Sequence, residues 1–209
     1  MHISEGILSG PVFGGGFALM AVGAALTMRK MELEDIPKIS VVTALFFVAS
    51  LIKIPIGVAS IHFILNGVAG IILGVRAFPA IMIGIVFQAI LFGHGGLSVI
   101  GVNTVMMGTG ALAAYAVWQL RHRFSFASKE LVFAFFAAAA ATIISGTILA
   151  LALIFTGEAF FTNAGIIFVT HIPLMLVEGL VAVACVKYLL KVKPEILAGY
   201  RKPEKDGVA

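Results

Sequence analysis

In this chain of 209 residues, 61% are hydrophobic and only 11% charged, with 23 glycines and 17 phenylalanines, which is not the composition of a water-soluble domain. A mean hydropathy of +1.12 describes a polytopic membrane protein, and the absence of short alternating apolar segments excludes a spanning barrel and leaves a helix bundle. The formal charge of +4 does not call for nucleic acid as a partner, because the basic residues are sorted along the chain as membrane proteins sort them.

The chain opens "MHISEG", with His2 directly after Met1 and Glu5 ahead of a long apolar run. No basic region precedes that run and no small-residue cleavage site follows it, so this end is not expected to be removed as a signal peptide. Because His2 is bulky, Met1 is expected to stay and to keep a free α-amine. Apolar stretches of about 20 residues then give seven expected spans: Ile7–Met28, Ile39–Ile52, Ile56–Val75, Phe78–Phe92, Leu97–Leu120, Leu131–Phe155 and Ala164–Leu190. The second and fourth are short. The expected fold is therefore an all-α integral membrane protein of about seven transmembrane helices. Residues 1–209 form one transmembrane domain, to which segment 1–28 contributes the terminus and the first helix.

With the N-terminus outside, Arg29, Lys30, Lys38, Arg76, Arg121, Arg123, Lys129, Lys187, Lys191, Lys193, Arg201, Lys202 and Lys205 all fall inside, and only Lys53 does not. That bias obeys the positive-inside rule, puts the C-terminus inside and accounts for the basic balance. The same topology carries His2, His62, His94 and His171 to the outer ends of spans and leaves His122 inside, within "RHRF". The tail "KVKPEILAGYRKPEKDGVA" reads as a short polar end, disordered or partner-bound, without chemistry of its own.

A terminal Met-His has a specific chemistry. The Met1 amine, the amide nitrogen between Met1 and His2, and the His2 imidazole close two fused chelate rings around one ion. Three nitrogens in a plane suit Ni(II) or Cu(II), and Co(II) is held by a related set. One further imidazole completes the square. His62, in "KIPIGVASIHFILNGVAG", is either that ligand or a hydrogen-bonded packing residue, since ionisable groups in apolar spans are costly and tend to face a site. His94, in "FQAILFGHGGLSVIGVNTVMMG", sits where glycines permit a sharp turn. His94 and Asn103 are candidates either for the site itself or for hydrogen bonds that hold the turn around it. His171 and Glu178 are seven apart and share a helix face, in structural or transport roles that spacing does not separate.

The remaining features are quieter. Cys185 is the lone cysteine, so no disulfide or cysteine cluster forms within one chain. Met20, Met28, Met106 and Met107 follow no repeated spacing and read as packing residues. The small-residue stretches at Gly70–Gly74 and Phe136–Gly146 allow close helix contact. The chain lacks the G-x-x-x-x-G-K-[ST] motif, so any ATP would be hydrolysed by another subunit.

Taken together, "MHISEGIL", "KIPIG…SIHFILNG", "FQAILFGHGGLSVIGVNTVMMG" and "HIPLMLVEGL" resemble the CbiM/NikM family, the substrate-binding (S) components of energy-coupling-factor (ECF) transporters for cobalt and nickel. The resemblance runs over nearly the whole chain. It implies a seven-helix fold whose extra N-terminal helix delivers the terminus into the site. It implies metal ligation by the Met1 amine, the His2 amide and imidazole nitrogens, and His62, with His94 supporting the loop network. Ser60, Asn103, His171 and Glu178 are the other supporting positions. Ni(II) or Co(II) is then the transported substrate, with no ATP site in this chain and no catalysis. The implied partners are a transmembrane coupling (T) subunit, two ATPase subunits and a small accessory membrane protein, in a bacterial or archaeal cell membrane. The main rival is a stand-alone secondary transporter, proton-coupled through Glu178 and His171, although the chain shows no convincing internal repeat. An intramembrane hydrolase is set aside because neither HExxH nor GxSxG occurs.

Overall fold

The computed structural model describes residues 2–29, 31–51, 53–56 and 59–200. A two-residue strand β1 (His2–Ile3) precedes α1 (Gly10–Met28) and α2 (Ile36–Ala49), and the hairpin β2 (Lys53–Ile56) and β3 (Ala59–His62) follows. Then come α3 (Asn66–Leu73), α4 (Ala77–Phe92), α5 (Ile100–Leu120), α6 (Lys129–Thr156) and α7 (Phe161–Val192). The protein is an all-α membrane protein with one small sheet. Among the described residues five stretches are long and apolar enough to cross a bilayer: Gly10–Met28, Asn66–Phe92, Ile100–Arg123, Lys129–Thr156 and Glu158–Val192.

Local sequence explains where the helices start. Pro11 and Pro37 lie in the first turns of α1 and α2, where a missing N–H leaves no hydrogen bond unmade. Between those helices Asp35 accepts the Glu32 N–H at 3.0 Å and pairs with Arg76 at 2.6 Å. This ties the start of α2 to the start of α4. At 14 residues α2 rises only about 21 Å, short of the roughly 30 Å bilayer core.

The expected span Ile56–Val75 is corrected by the structure. Its first part is strand and loop, and only Asn66–Leu73 is α-helical before a 3-10 turn at Gly74–Arg76. The reason is long-range pairing, because β3 is the central strand of an antiparallel sheet ordered β1-β3-β2. His2 lies opposite Ser60, and Lys53 opposite His62. Pro55, which has no N–H to give, is confined to the edge strand β2. Residues Lys30, Ile52, Gly57 and Val58 lie outside the described set.

Helix α3 is buried at every residue and runs beside α5 in the same direction, Asn66 near Met107 and Gly74 near Tyr115. The chain reverses at Gly74, whose φ is +62°, and α4 returns to the N-terminal strand through Gln88. Asn66 donates to the Met107 carbonyl at 3.1 Å and to Ser145 Oγ at 2.9 Å, and Ser145 donates to the Met106 carbonyl. That polar knot joins α3, α5 and α6 inside an apolar core of Ile64, Ile71, Met106, Met107, Leu149 and Leu153. Leu19, Ile90, Phe155, Val169 and Leu180 point outward, as side chains facing acyl chains do.

The far end of the bundle carries most of the positive charge, and it corrects the expected tail. Residues 194–200 are docked rather than loose: the Ala198 N–H donates to the Ile71 carbonyl, and the Ala198 carbonyl accepts from Trp118 Nε1 at 2.9 Å and Arg121 Nη2 at 3.1 Å. The Arg121 guanidinium also lies 3.9 Å from the Trp118 ring centroid. Residues 201–209 lie outside the described set.

Candidate metal centre

The sheet exists to bring two distant segments together. Antiparallel pairing of His2 and Ile3 with Ser60 and Ala59 sets the chain start beside the hairpin that ends in His62. The two imidazoles meet, His62 Nε2 to His2 Nδ1, at 3.1 Å, with ring centroids 4.8 Å apart. Both rings are buried. His62 Nδ1 donates to the Phe63 carbonyl at 2.6 Å, which leaves Nε2 as the lone-pair nitrogen of the neutral ring. On the other ring, Nε2 of His2 meets the buried carboxamide of Gln88, on α4, at 2.8 Å. Each imidazole thus turns one ring nitrogen toward the other.

Three further contacts hold this arrangement. Ile3 N–H donates to Asn103 Oδ1 at 3.1 Å, anchoring β1 to the start of α5, and the Ile3 side chain is fully buried. Ser98 N–H donates to Glu5 Oε1 at 3.2 Å. A Cβ at Gly96, where φ is +96°, would run into the Glu5 carboxyl, so only glycine lets the 94–98 turn close over the N-terminal loop. The "GHGGL" turn is therefore a clasp on "HISEG".

Glu178 acts on the segment that carries His62. Its carboxylate, on α7, accepts the Ile64 N–H at 2.6 Å and the Leu65 N–H at 3.1 Å, fixing the loop that leads from His62 into α3. His94 stands with its ring centroid 5.9 Å from that of His2, and its backbone N–H donates to the Gln88 carbonyl at 3.1 Å. His171 does not join the group. Its Nδ1 donates to the Ile167 carbonyl, and its ring packs over Gly146 of α6. Among the described residues no three His, Cys, Asp or Glu side chains converge as a metal site. A metal held by the two imidazoles would need donors of another kind. Met1 itself lies outside the described residues, as does the side chain of Ser60.

Sequence reasoning missed Gln88 and Glu5. Gln88 is the lone amide in the apolar helix "AFPAIMIGIVFQAILF" and is wholly buried. A polar side chain at such a position needs a partner, and that was the available signal.

A family model described as the cobalt uptake substrate-specific transmembrane region matches residues 2–196. A protein of Haemophilus influenzae described as a putative metal transport protein is 33% identical over 199 residues, covering 94% of this chain and 97% of its own length. The cobalt transport protein CbiM of Kyrpidia tusciae is 30% identical over 213 residues, covering 95% of this chain and 86% of its own. A putative fused cobalt transport protein CbiMQ of Methanocorpusculum labreanum is 32% identical over 221 residues, and there the match covers 94% of this chain but 36% of the fused protein. In fold, a crystal structure of a truncated transition metal transporter superposes with a TM-score of 0.73 at 23% identity, covering 91% of this chain and 99% of that one.

Proposed function

We propose, for a chain that belongs to the CbiM family of cobalt-uptake substrate-specific membrane proteins, that it captures one Ni(II) or Co(II) ion in a nitrogen site at its N-terminus. The protein is a multi-pass cell-membrane protein and a metal-transport component of the CbiM type. The observation that carries the site is the pair of facing ring nitrogens, His2 Nδ1 and His62 Nε2, 3.1 Å apart. With metal–nitrogen bonds of about 2 Å, nitrogens at that separation subtend about 100° at one ion, which suits neighbouring corners of a square. The Met1 amine and the His2 amide nitrogen supply the other two corners. Asn103, Ser60, His94, His171 and Glu178 support the loops and helices around them.

In this reading the chain is one unit with about seven helices, its N-terminus outside and its C-terminus inside. It receives the ion outside and delivers it inward when partner subunits reorient it: a transmembrane coupling subunit, two ATPases and a small accessory membrane protein. The fused relative named CbiMQ supports a membrane partner. The partners carry the ATP chemistry, and the present chain is a binding protein rather than an enzyme. The proton-coupled alternative has little to support it, because the Glu178 carboxylate is committed to two backbone amides and His171 to a carbonyl of its own helix.

The test is metal titration of the purified protein with its native terminus, beside a version with one residue added before Met1 and a His62→Ala variant. The expected result is one Ni(II) or Co(II) per chain, lost in both altered proteins. Because the ligands are a deprotonated amide and neutral imidazoles, occupancy should also fall as the pH falls. Full binding by the extended protein would overturn the terminal chelate.

A further inference from the structure

We infer that the Glu5 carboxylate is the first contact of the incoming divalent cation, at the mouth of the N-terminal site, a reading that rests on the nitrogen site proposed above. His2 and His62 are buried, so an ion reaches them only past the chain packed around them. Two pieces of chain meet there. One is residues 4–6, which are exposed and follow directly on the buried His2 and Ile3. The other is the turn 93–98, in which Gly93, Gly95 and Gly96 have φ of +62°, +75° and +96°. The two lie against each other: a Cβ at Gly95 would come within 3.2 Å of the Ile3 carbonyl, and one at Gly96 would strike the Glu5 carboxyl. From the same turn the His94 ring is buried inward, its centroid 5.9 Å from that of His2. The seam between the two pieces therefore borders the histidines, and Glu5 stands on it.

Charge singles out Glu5 at this mouth. Its side chain is exposed and accepts the Ser98 N–H at 3.2 Å, and among the described residues no basic side chain pairs with it. The other carboxylates are placed elsewhere. Glu32, Glu34, Asp35, Glu130 and Glu195 lie at the basic end, and Glu178 is buried against the Ile64 and Leu65 amides. Glu158 is in the α6–α7 connection. The hairpin also brings Lys53 to this end, opposite His62, and a positive residue there works against the entry of a cation. A carboxylate on the seam offsets it and raises the local concentration of a doubly charged ion, which feels twice the attraction of a monovalent one. Oxygen is a suitable donor for such an encounter, because Ni(II) and Co(II) pass readily from carboxylate or water oxygen to imidazole and other nitrogen ligands.

Glu5→Gln keeps an oxygen for the Ser98 N–H and removes only the charge. Glu158→Gln removes the same charge from an exposed position at the same end, off the seam. Stopped-flow mixing of Ni(II) or Co(II) with each purified protein in an uncharged detergent gives the association rate constant, and transfer of bound metal to excess chelator gives the dissociation rate constant. At about 0.1 M ionic strength, where the Debye length is about 10 Å, only nearby charges act on the ion. There Glu5→Gln should associate about 3- to 10-fold more slowly than the parent with dissociation unchanged, as befits a charge at the rim of a site. The gap should close toward about 1 M salt, and Glu158→Gln should stay within about twofold of the parent. Equal association rates for Glu5→Gln and the parent would overturn the inference. So would a loss that salt does not reduce, or an equal loss in Glu158→Gln, which would mean a diffuse field rather than a contact. Faster dissociation with unchanged association would leave Glu5 a clasp for the 94–98 turn and nothing more. In all these cases the metal site itself stands, whereas a parent that binds neither metal overturns the proposed function and the role of Glu5 with it.

Discussion

Glu178 shows how a single buried side chain orders the loop that follows His62. Leu65 has a φ of +50°, a left-handed conformation that costs a branched residue about 1–2 kcal/mol. The loop adopts it because both neighbouring amides, Ile64 and Leu65, are drawn to one buried carboxylate. The geometry separates two roles that the sequence spacing of His171 and Glu178 left open. If Glu178 orders the loop after His62, Glu178→Gln keeps an acceptor oxygen, and metal affinity should fall less than tenfold. Glu178→Ala instead orphans two buried N–H groups, at roughly 1–3 kcal/mol each, and should lower the thermal midpoint in detergent and weaken metal binding together. A glutamate that carried protons would behave otherwise: Glu178→Gln would then abolish uptake in whole cells as completely as Glu178→Ala does.

At the scale of elements, α3 is the unusual piece, an eight-residue helix buried on all sides between α5 and α6. Glycine makes its position possible. A Cβ at Gly70 would strike the Ala111 carbonyl, and one at Gly67 would come within 2.5 Å of Ala138 Cα. Gly70→Val should therefore cost about 1–3 kcal/mol or more through overpacking, read as lower yield and a lower melting temperature. Gly165→Ala on α7, where a Cβ meets nothing, is the neutral control. The small-residue stretches that make this contact were legible in the sequence, as were helices α1 and α5–α7, because long apolar runs admit few alternatives. The break in the third span was not. Residues 53–62 are as apolar as a helix, and hydropathy does not distinguish a strand buried in protein from a helix facing lipid. What makes β3 a strand is a partner nearly sixty residues away at His2, and single-window reading does not see it. Pro55 was the local hint. That His2 and His62 belong together was legible through terminal chemistry and resemblance, and the structure brings their rings into contact, whereas Gln88 and Glu5 needed the folded contacts to be noticed.

Across the whole molecule, the two ends of the bundle are built for different tasks. One end gathers the strands, the three histidines His2, His62 and His94, and the glycine clasp. The other gathers Arg76, Arg121, Arg123 and Lys129, with Lys38 alongside, its ammonium pushed down by burial and by the neighbouring Arg76. Residues 194–200 lie across that basic end and join α3 to α5 through Ala198. Positive charge stays on the cytoplasmic side during insertion, so the end that carries His2 and His62 should face outward and the docked C-terminal segment should face the cytoplasm. Single cysteines in a Cys185→Ser background test this directly, at Glu158 in the α6–α7 connection and at Ser125 in the α5–α6 connection, both exposed. A membrane-impermeant maleimide should label Glu158→Cys in intact cells and Ser125→Cys only after permeabilisation. The reverse pattern would place His2 and His62 on the cytoplasmic side, where a site built from the chain terminus would receive metal from the cell rather than for it, and the direction of transport argued above would have to be inverted.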